Sequence, residues 1–446
     1  MIGLVGALNE LAVSTAKKLG VDDAVALTSQ GNERMVRFAN NSLTVTKNTK
    51  ETALYVYLGK DRRRIVAATS NPDESSVRTF VKKLFDSLQS LPKGSDYASL
   101  PEKARHYKPR EEGYDRKIEA VGTELSELAG EAIESARKNG GERSAGALVA
   151  SVTASSILTS SGTSGRDRGA SITLNIRSFS QNDASGHGLS CASKLSGFDP
   201  VEAGKRAGEN AKKMVDAKEP EAGEYEVLMS PTVASNLVDL IGGFSSAFSV
   251  EAGISYLVDK LGKKVASESF SLSDHGRMNG ALDGRVFDDE GIPTRTTPII
   301  RDGVLENYLH NLTTAKKSGK VSTGNAGTIS PHPWNLEVGR GDSSYDEMVK
   351  SMKRGVILTS NWYTRFKNYR TGEFSTVPRD GAYLVEDGRI TQGLKGLRVS
   401  DSLERIFSST RLISKNREWI EWWEVDTPTL CPWVLVDGVK ITRAYE

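Results

Sequence analysis

The chain has 446 residues, enough for two domains with separate cores, and its 37% hydrophobic and 26% charged content is ordinary for a globular protein in water. Lys and Arg number 59 against 57 Asp and Glu, so no overall field draws in nucleic acid or an anionic membrane, and either would need a local patch. No run approaches the ~18 apolar residues of a membrane span, and two cysteines, Cys191 and Cys431, give neither a disulfide framework nor a zinc-type CxxC, so the expectation is a cytoplasmic protein.

The opening MIGLVGALNELAVSTAKKLG sets Ile2, Val5, Leu8, Ala12, Ala16 and Leu19 at helical spacing. Glu10 interrupts the apolar run and no basic segment precedes it, so an amphipathic helix is expected rather than a signal peptide. Residues 25–70 alternate in short apolar runs broken by Gly, Asn and Lys, the pattern of an antiparallel sheet. PDESSVRTFVKKLFDSLQSL follows as a helix with Val77, Phe80, Val81, Leu84, Phe85 and Leu88 on one face. Residues 91–115, polar and holding three prolines, read as a long connection over the surface.

A single helix is expected over 116–138, closed at Asn139-Gly140-Gly141. Strand-like runs then flank a glycine-rich segment, GTSGRDRG, read as a solvated hairpin tip at 162–169; it lacks the Lys-Ser/Thr ending of a phosphate loop. DPVEAGKRAGENAKKMVDA is a helix with Asp199 as cap and Pro200 in its first turn. The polar stretch AKEPEAGEY places a boundary near residue 220. The expected class is α+β: residues 1–220 form an antiparallel sheet with flanking helices, and residues 221–446 a β-rich domain entered by a long helix over 231–260. Its strands are expected to be short, closing at DEG, RDGV, EDGRI and VDGVK.

At that entrance, Tyr225–Met229 reads as a strand, Ser230-Pro231 starts a helix, and Val233, Leu237, Leu240 or Ile241, Phe244 and Phe248 form an apolar stripe. Gly242-Gly243 inside a helix costs ~1 kcal/mol per glycine relative to alanine, which implies close approach of another backbone or of a ligand. Both readings are open. Ser245 and Ser246 lack a GxSxG elbow and a histidine partner. Two aromatic clusters stand out downstream. In NWYTRFKNYR, Trp362, Tyr363, Phe366 and Tyr369 alternate with Arg365, Lys367 and Arg370; in REWIEWWEVD, aromatics mix with acids that would repel phosphate. A peptide groove or protein interface is therefore favoured over nucleic acid.

Several spaced motifs resemble the TldD/PmbA family, also described as modulators of DNA gyrase. They are RFANNSLT, GTSGRDRGASITLNIRS, FDDEGIPTRTTPIIRDGVLENYLHNLTTAKKSG with STGNAG, then NLEVGRGD, TGEFS and PTLCPWVLVDGVKITR. They span nearly the whole chain and include Asp289, Glu290, Gly291, Gly303, Gly324 and Asn325. The resemblance implies a cytoplasmic metalloprotease built from paired TldD-type and TldE-type subunits that acts on unfolded peptides. The TldD type carries HExxxH on a helix, with a cysteine from a later CGK-type motif completing the zinc ligands.

Matched to that motif, Asp239 stands at the first His, Leu240 at the Glu and Phe244 at the second His, with Gly243 retained before it. One carboxylate beside Leu and Phe does not make the three protein ligands that catalytic zinc needs, and no general base adjoins it. The CGK position falls in LISKNREWIEWW, which has no cysteine; Cys431 lies later and reads as a small buried hydrophobe. Among His106, His187, His275, His310 and His332 no pair has helical ligand spacing, though Asp274-His275 and Asp288-Asp289-Glu290 could meet in the fold. Asp289 and Glu290 are expected to shape the turn before Gly291.

The resemblance implies a TldE/PmbA-like subunit with no catalytic or metal residue of its own. Zinc is expected in an HExxxH-bearing partner, with a self-dimer as the other assembly, an unfolded peptide as substrate, and Trp362, Tyr363, Arg365, Phe366 and Tyr369 as groove or interface residues. The alternatives are a metallopeptidase in its own right with unrecognised zinc ligands, and a stand-alone peptide or nucleic-acid binding protein.

Overall fold

The computed structural model describes residues 2–444, with the side chains of residues 2–5 outside the description. The N-terminal half begins with α1 (Ile2–Lys18), β1 (Asp23–Ala39), β2 (Ser42–Lys60), β3 (Arg63–Ser70) and α2 (Glu74–Gln89). It continues through β4 (His106–Tyr107), α3 (Arg116–Ala120), α4 (Glu124–Lys138), β5 (Arg143–Thr159), β6 (Ser164–Phe179), β7 (Ser185–Ala192) and α5 (Pro200–Lys213). The strands form one sheet in the order β3-β2-β1-β5-β6-β4, with β7 also on β6. All its pairings are antiparallel except β4 with β6.

Two helical layers cover this sheet at different places. Leu8, Ala12 and Ala16 of α1 and Val77, Val81, Leu84 and Leu88 of α2 bury against Ala24, Ala26, Leu54 and Val56. Leu19 and Phe80 are only partly buried there, and the side chains of Ile2 and Val5 lie outside the described residues. Helices α3, α4 and α5 cover Val36, Phe38, Leu148, Ile172 and Leu174 further along the same strands. The cap of α5 is as the sequence predicts: Asp199 accepts the Glu202 N–H, and Pro200 fills the first turn.

Three local expectations are corrected. The helix expected over 116–138 is two helices, because Val121 leaves the helical conformation (ψ 121°) and the guanidinium of Arg34, from β1, bonds the carbonyls of Glu119 and Val121. Those carbonyls would otherwise lack partners at the end of α3. The hairpin tip is 160–163 rather than 162–169; Ser164–Gly169 continue β6, paired with residues 153–158. Asp167 there is buried and accepts from Arg110, Arg168 and the Val286 N–H, so this end of the hairpin is a joint between the halves of the chain rather than a solvated tip. The 91–115 connection is likewise pinned, with Tyr97 and Leu100 buried and both bonded to Asp23.

The C-terminal half starts with β8 (Gly223–Met229), α6 (Pro231–Phe244), α7 (Ala247–Glu251), β9 (Leu272–His275), β10 (Thr296–Arg301) and β11 (Val304–Leu305). Next come α8 (Leu312–Lys317), β12 (Leu336–Val338), α9 (Tyr345–Lys350), β13 (Arg354–Leu358), β14 (Asn361–Asn368) and β15 (Glu373–Pro378). The chain closes with β16 (Ala382–Glu386), β17 (Arg389–Gly393), β18 (Leu397–Ser402), α10 (Leu403–Ser408), β19 (Thr410–Trp422) and β20 (Val425–Arg443). One sheet runs β11-β10-β9-β12-β20-β8-β13-β16-β17, with β19 and β18 also on β20 and β15-β14 branching from β18.

Not all these strands are short. The β19–β20 hairpin is 13 and 19 residues long, and three short helices, α8, α9 and α10, interrupt the strands. The expected 231–260 helix ends at Phe244, because Ser246 leaves the helical conformation (ψ 123°) and Leu309 bridges to it, bonding both Ser245 and Ala247. Helix α6 is buried as the spine of the largest core: Val233, Leu237, Val238, Ile241 and Phe244 pack with Leu336, Val356, Val434 and Val436.

Candidate functional site

Helix α6 is built by local chemistry. Strand β8 delivers the chain to Ser230, whose hydroxyl accepts the Val233 N–H while donating to the Thr359 carbonyl, and Pro231 suits the first turn. Gly242 is where the core comes close: an added Cβ would lie 2.7 Å from Leu336 Cδ1. Gly243, by contrast, has nothing within 4 Å of that position, so packing explains only the first glycine. The apolar stripe stops at Phe244; Phe248 lies in the next helix and is exposed. The hydroxyls of Ser245 and Ser246 donate to the carbonyls of Gly242 and Pro331, so both are occupied in the backbone.

The residues singled out on α6 point to one place, the β19–β20 hairpin end and β14. Asp239 accepts the N–H groups of Asp426 and Thr427, one on each oxygen, at 3.0 and 3.2 Å. Desolvation raises its pKa to about 6. Asn236, one turn earlier, donates to the Glu424 carbonyl and accepts from Asn361 and Thr364. Sequence reasoning missed Asn236; its one sign was an amide on a mostly apolar helix, one turn before Asp239. Phe244 meets Tyr256, Phe366 and Tyr369 edge-on, with ring centres 5.4, 4.9 and 6.2 Å away, and Leu240 is partly buried against the same core.

The two aromatic clusters that lie far apart in sequence are one surface in the fold. Trp362 lies 5.8 Å from Trp423, and the Tyr363 N–H donates to the Glu424 carboxylate. Arg379 covers Trp362 and Arg365 covers Tyr363 at 4.2 Å each. Tyr363, 54% exposed, sits at φ 59°, a left-handed conformation that costs a bulky residue energy and that clusters at functional sites.

Asp274-His275 and Asp288–Glu290 come near each other but do not form a ligand set. Asn325 stands between them, donating to Asp274, while the Ala326 N–H donates to Asp288. Asp274 also takes the N–H groups of Trp334 and Asn335, and burial lifts its pKa to about 6. Asp289 and Glu290 are the central residues of the expected turn, closed by the Gly291 N–H on the Asp288 carbonyl, and the Asp288 carboxylate braces it by accepting the N–H groups of Glu290, Ile292 and Ala326. Gly291 follows at φ 77° in that turn. Gly303 and Gly324 are required by close approach: an added Cβ would lie 2.4 Å from the Ala266 and Pro293 carbonyl oxygens respectively. Glu290 instead reaches forward to the Leu312 N–H that starts α8.

A zinc ion does not fit the α6 site. Both Asp239 oxygens already accept backbone N–H groups, Leu240 and Phe244 offer no donor atom, and no cysteine lies on β19. Cys431 is buried in the core, where desolvation pushes its thiol up to about 12. Among the described residues, no group of three or more His, Cys, Asp or Glu side chains could hold a metal ion, and no helix is long and apolar enough to cross a membrane.

Residues 222–443 match the model of the PmbA/TldA metallopeptidase C-terminal domain. A metalloprotease of Methanocaldococcus jannaschii is 31% identical over 218 residues, 47% of each chain. Metalloprotease PmbA of Escherichia coli O157:H7 is 28% identical over 193 residues, 43% of this chain and 41% of that one. The chain spans about half the length of the curated relatives it matches. A structure from Thermotoga maritima, described as a proposed modulator of a DNA gyrase, superposes with TM-score 0.87 at 26% identity over 98% of this chain and all of that one. TldE from Thermococcus kodakarensis shares the fold, with TM-score 0.85 over 98% of this chain and all of that one, at 19% identity.

Proposed function

Because the chain belongs to the TldD/PmbA family, we propose that it is a non-catalytic, TldE/PmbA-like subunit of a cytoplasmic zinc metalloprotease that processes unfolded peptides. The observation that carries this reading is the occupation of α6. Where the family motif would place two histidines and a glutamate, this chain has a carboxylate closed by two backbone N–H groups, a leucine and a phenylalanine locked among three aromatic rings. A site filled in this way supplies neither metal nor base, and the chemistry falls to a partner that bears HExxxH.

The exposed aromatic and arginine surface around Trp362, Tyr363, Arg365 and Trp423 has the residue types that carry protein interfaces, and it is the candidate face for that partner. Beside it, β14 pairs only with β15 among the described residues, so its other edge can accept an extended peptide by main-chain hydrogen bonds.

The test is zinc content and proteolysis. The purified chain should contain no stoichiometric zinc and should not cleave an unfolded casein substrate alone. Cleavage should appear on mixing with an HExxxH-bearing relative from the same genome. Stoichiometric zinc with chelator-sensitive cleavage by this chain alone overturns the reading.

A further inference from the structure

We infer that the cavity between strands β1–β3 and the Asp289-Glu290 turn is a binding site for a primary ammonium carried on an apolar body, such as the free amino end of a peptide. The cavity measures ≈ 500 Å³, within the ~300–1,000 Å³ of small-molecule sites. It lies outside the α6 contacts described above, although α7 contributes Phe248 and Glu251 to its rim. The inference concerns this chain alone and does not rest on pairing with a zinc-bearing partner.

Its wall has two chemistries. One side is apolar and aromatic, with Val25, Leu27, Tyr55, Tyr57 and Val66 on one face of the N-terminal sheet. The other is acidic. Two cations also line the cavity, but each is already engaged: Arg64 with Asp96 at 3.0 Å and with Thr313, and Lys317 with Glu251 at 2.9 Å. Asp289 is held by Thr328 at 3.3 Å and lies 3.6 Å from Arg285. Glu290 has one oxygen on the Leu312 N–H, and no Lys, Arg or His comes within 4 Å of it among the described residues. Of the four carboxylates lining the cavity, Asp96, Glu251 and Asp289 are in ion pairs with Arg64, Lys317 and Arg285, and Glu290 is in none among the described residues, with Arg64 acting on it only from beyond contact.

That imbalance defines the ligand. An anion would meet Glu290 head-on, and a wholly apolar ligand would leave its desolvated carboxyl with the Leu312 N–H and no ion-pair partner. An ammonium brings three donors and a charge, and its apolar body covers the aromatic wall, where tyrosine rings also attract a cation. The charged and titratable groups around Glu290 are Asp288 and Asp289 on its own turn, Tyr57 from β2, Arg64 from β3, Asp96 from the 91–115 connection, Glu251 from α7 and Lys317 from α8. Burial, with Asp289 adding to it, raises the Glu290 pKa to about 7, so the carboxylate that binds an ammonium is present mainly above neutral pH.

The experiment uses the full chain, titrated by calorimetry and ligand-observed NMR with phenylalaninamide, N-acetylphenylalaninamide and Nα-acetyl-lysinamide. Phenylalaninamide should bind, and acetylation of its amine should weaken binding about tenfold or more, as expected for loss of a charge-assisted contact. Affinity for 2-phenylethylamine, an ammonium on a similar apolar body that stays protonated throughout this range, should fall about tenfold from pH 8 to pH 6, and that dependence should vanish in Glu290→Gln. Val66→Trp, at the position beside Tyr57 on the cavity face, fills the apolar side and should abolish binding while the protein still melts cooperatively. Binding of the lysine amide in preference to phenylalaninamide also supports an ammonium site and assigns it to a side chain instead of a chain end. Equal binding of the acetylated compound, unchanged binding in Glu290→Gln or in Val66→Trp, or no binding of any amine at millimolar concentration overturns the inference.

Discussion

Asp239 on α6 and Glu290 beside the cavity are both carboxyls lifted toward neutrality by burial, to about 6 and about 7, yet their surroundings give them opposite uses. Asp239 has an N–H on each oxygen, and its neighbours at 240 and 244 pack into apolar and aromatic contacts. Glu290 has one N–H and an open space in front of it. A raised carboxyl therefore does not by itself mark a site. The number of its acceptor positions already taken, and whether the space beside it is filled, separate a structural tie from a group available to a ligand.

The contrast breaks most directly at Phe244. Phe244→Ala would open the filled site, and the loss of a nearly fully buried ring with three edge-on partners should cost about 3–5 kcal/mol in urea unfolding. A cost below about 1 kcal/mol would mean the surroundings collapse freely and that the α6 site is not locked. The next effect comes from Glu290. Its folded pKa is raised from 4.5 to about 7, so the proton is held more tightly in the native state. The stability this contributes is fully present below about pH 4.5 and is lost as pH rises through about 7. Glu290→Gln should remove that loss, by up to about 3 kcal/mol and less in proportion to the water that reaches the cavity. Urea midpoints at pH 5 and pH 8 test it: a wild-type decline that persists unchanged in the variant would assign the titration elsewhere, with Asp274 and Asp239 as the other raised carboxyls.

What the sequence could tell was set by the range of the interactions involved. The inward faces of α1 and α2, the Asp199 cap and the strand–turn–helix before α6 follow from spacing and capping within a few residues, and all four were legible. The break between α3 and α4 was not, because its cause is Arg34, which lies 85 residues from one of the carbonyls it bonds. The true hairpin tip was hidden for a related reason: Gly, Ser and Asp recur throughout 160–169, and only the pairing register with β5 selects 160–163. The α6 positions were found through family resemblance, whereas the elements that meet them, the β19–β20 hairpin end and β14, lie more than a hundred residues downstream. The cavity is assembled from residues between Val25 and Ile329, so no local motif could announce it. Within DDEG, composition identified Asp289 and Glu290 as turn residues, but neither the bracing of that turn by the Asp288 carboxylate nor the cavity that Asp289 and Glu290 line could be read from it.

Asp239 offers a finer test of the claim that its carboxyl is a tie. Asp239→Ala leaves the Asp426 and Thr427 N–H groups without their acceptor and should destabilise by about 1–3 kcal/mol in the same urea assay. Zinc content should stay unchanged at the trace level of the parent. A neutral effect on stability would release Asp239 from a structural role and reopen α6 as a working site.

The smallest effect concerns the paired glycines, where two adjacent residues of the same type should respond with opposite sign. At Gly242 a methyl group would lie 2.7 Å from Leu336 and 3.1 Å from Pro333, so Gly242→Ala forces a well-packed core to give way and should destabilise. At Gly243 the same methyl meets nothing within 4 Å, and the residue sits in the last turn of a helix with ordinary φ. Gly243→Ala should therefore gain up to about 1 kcal/mol from reduced freedom of the unfolded chain, read as a raised midpoint in thermal or urea unfolding. If Gly243→Ala instead destabilises, the exposed space beside Phe244 is occupied in solution, as it would be were this face of α6 covered by a second subunit. Comparing the variant at low and high protein concentration separates those cases, since a clash at an interface grows with the fraction assembled and an intrinsic helix effect does not.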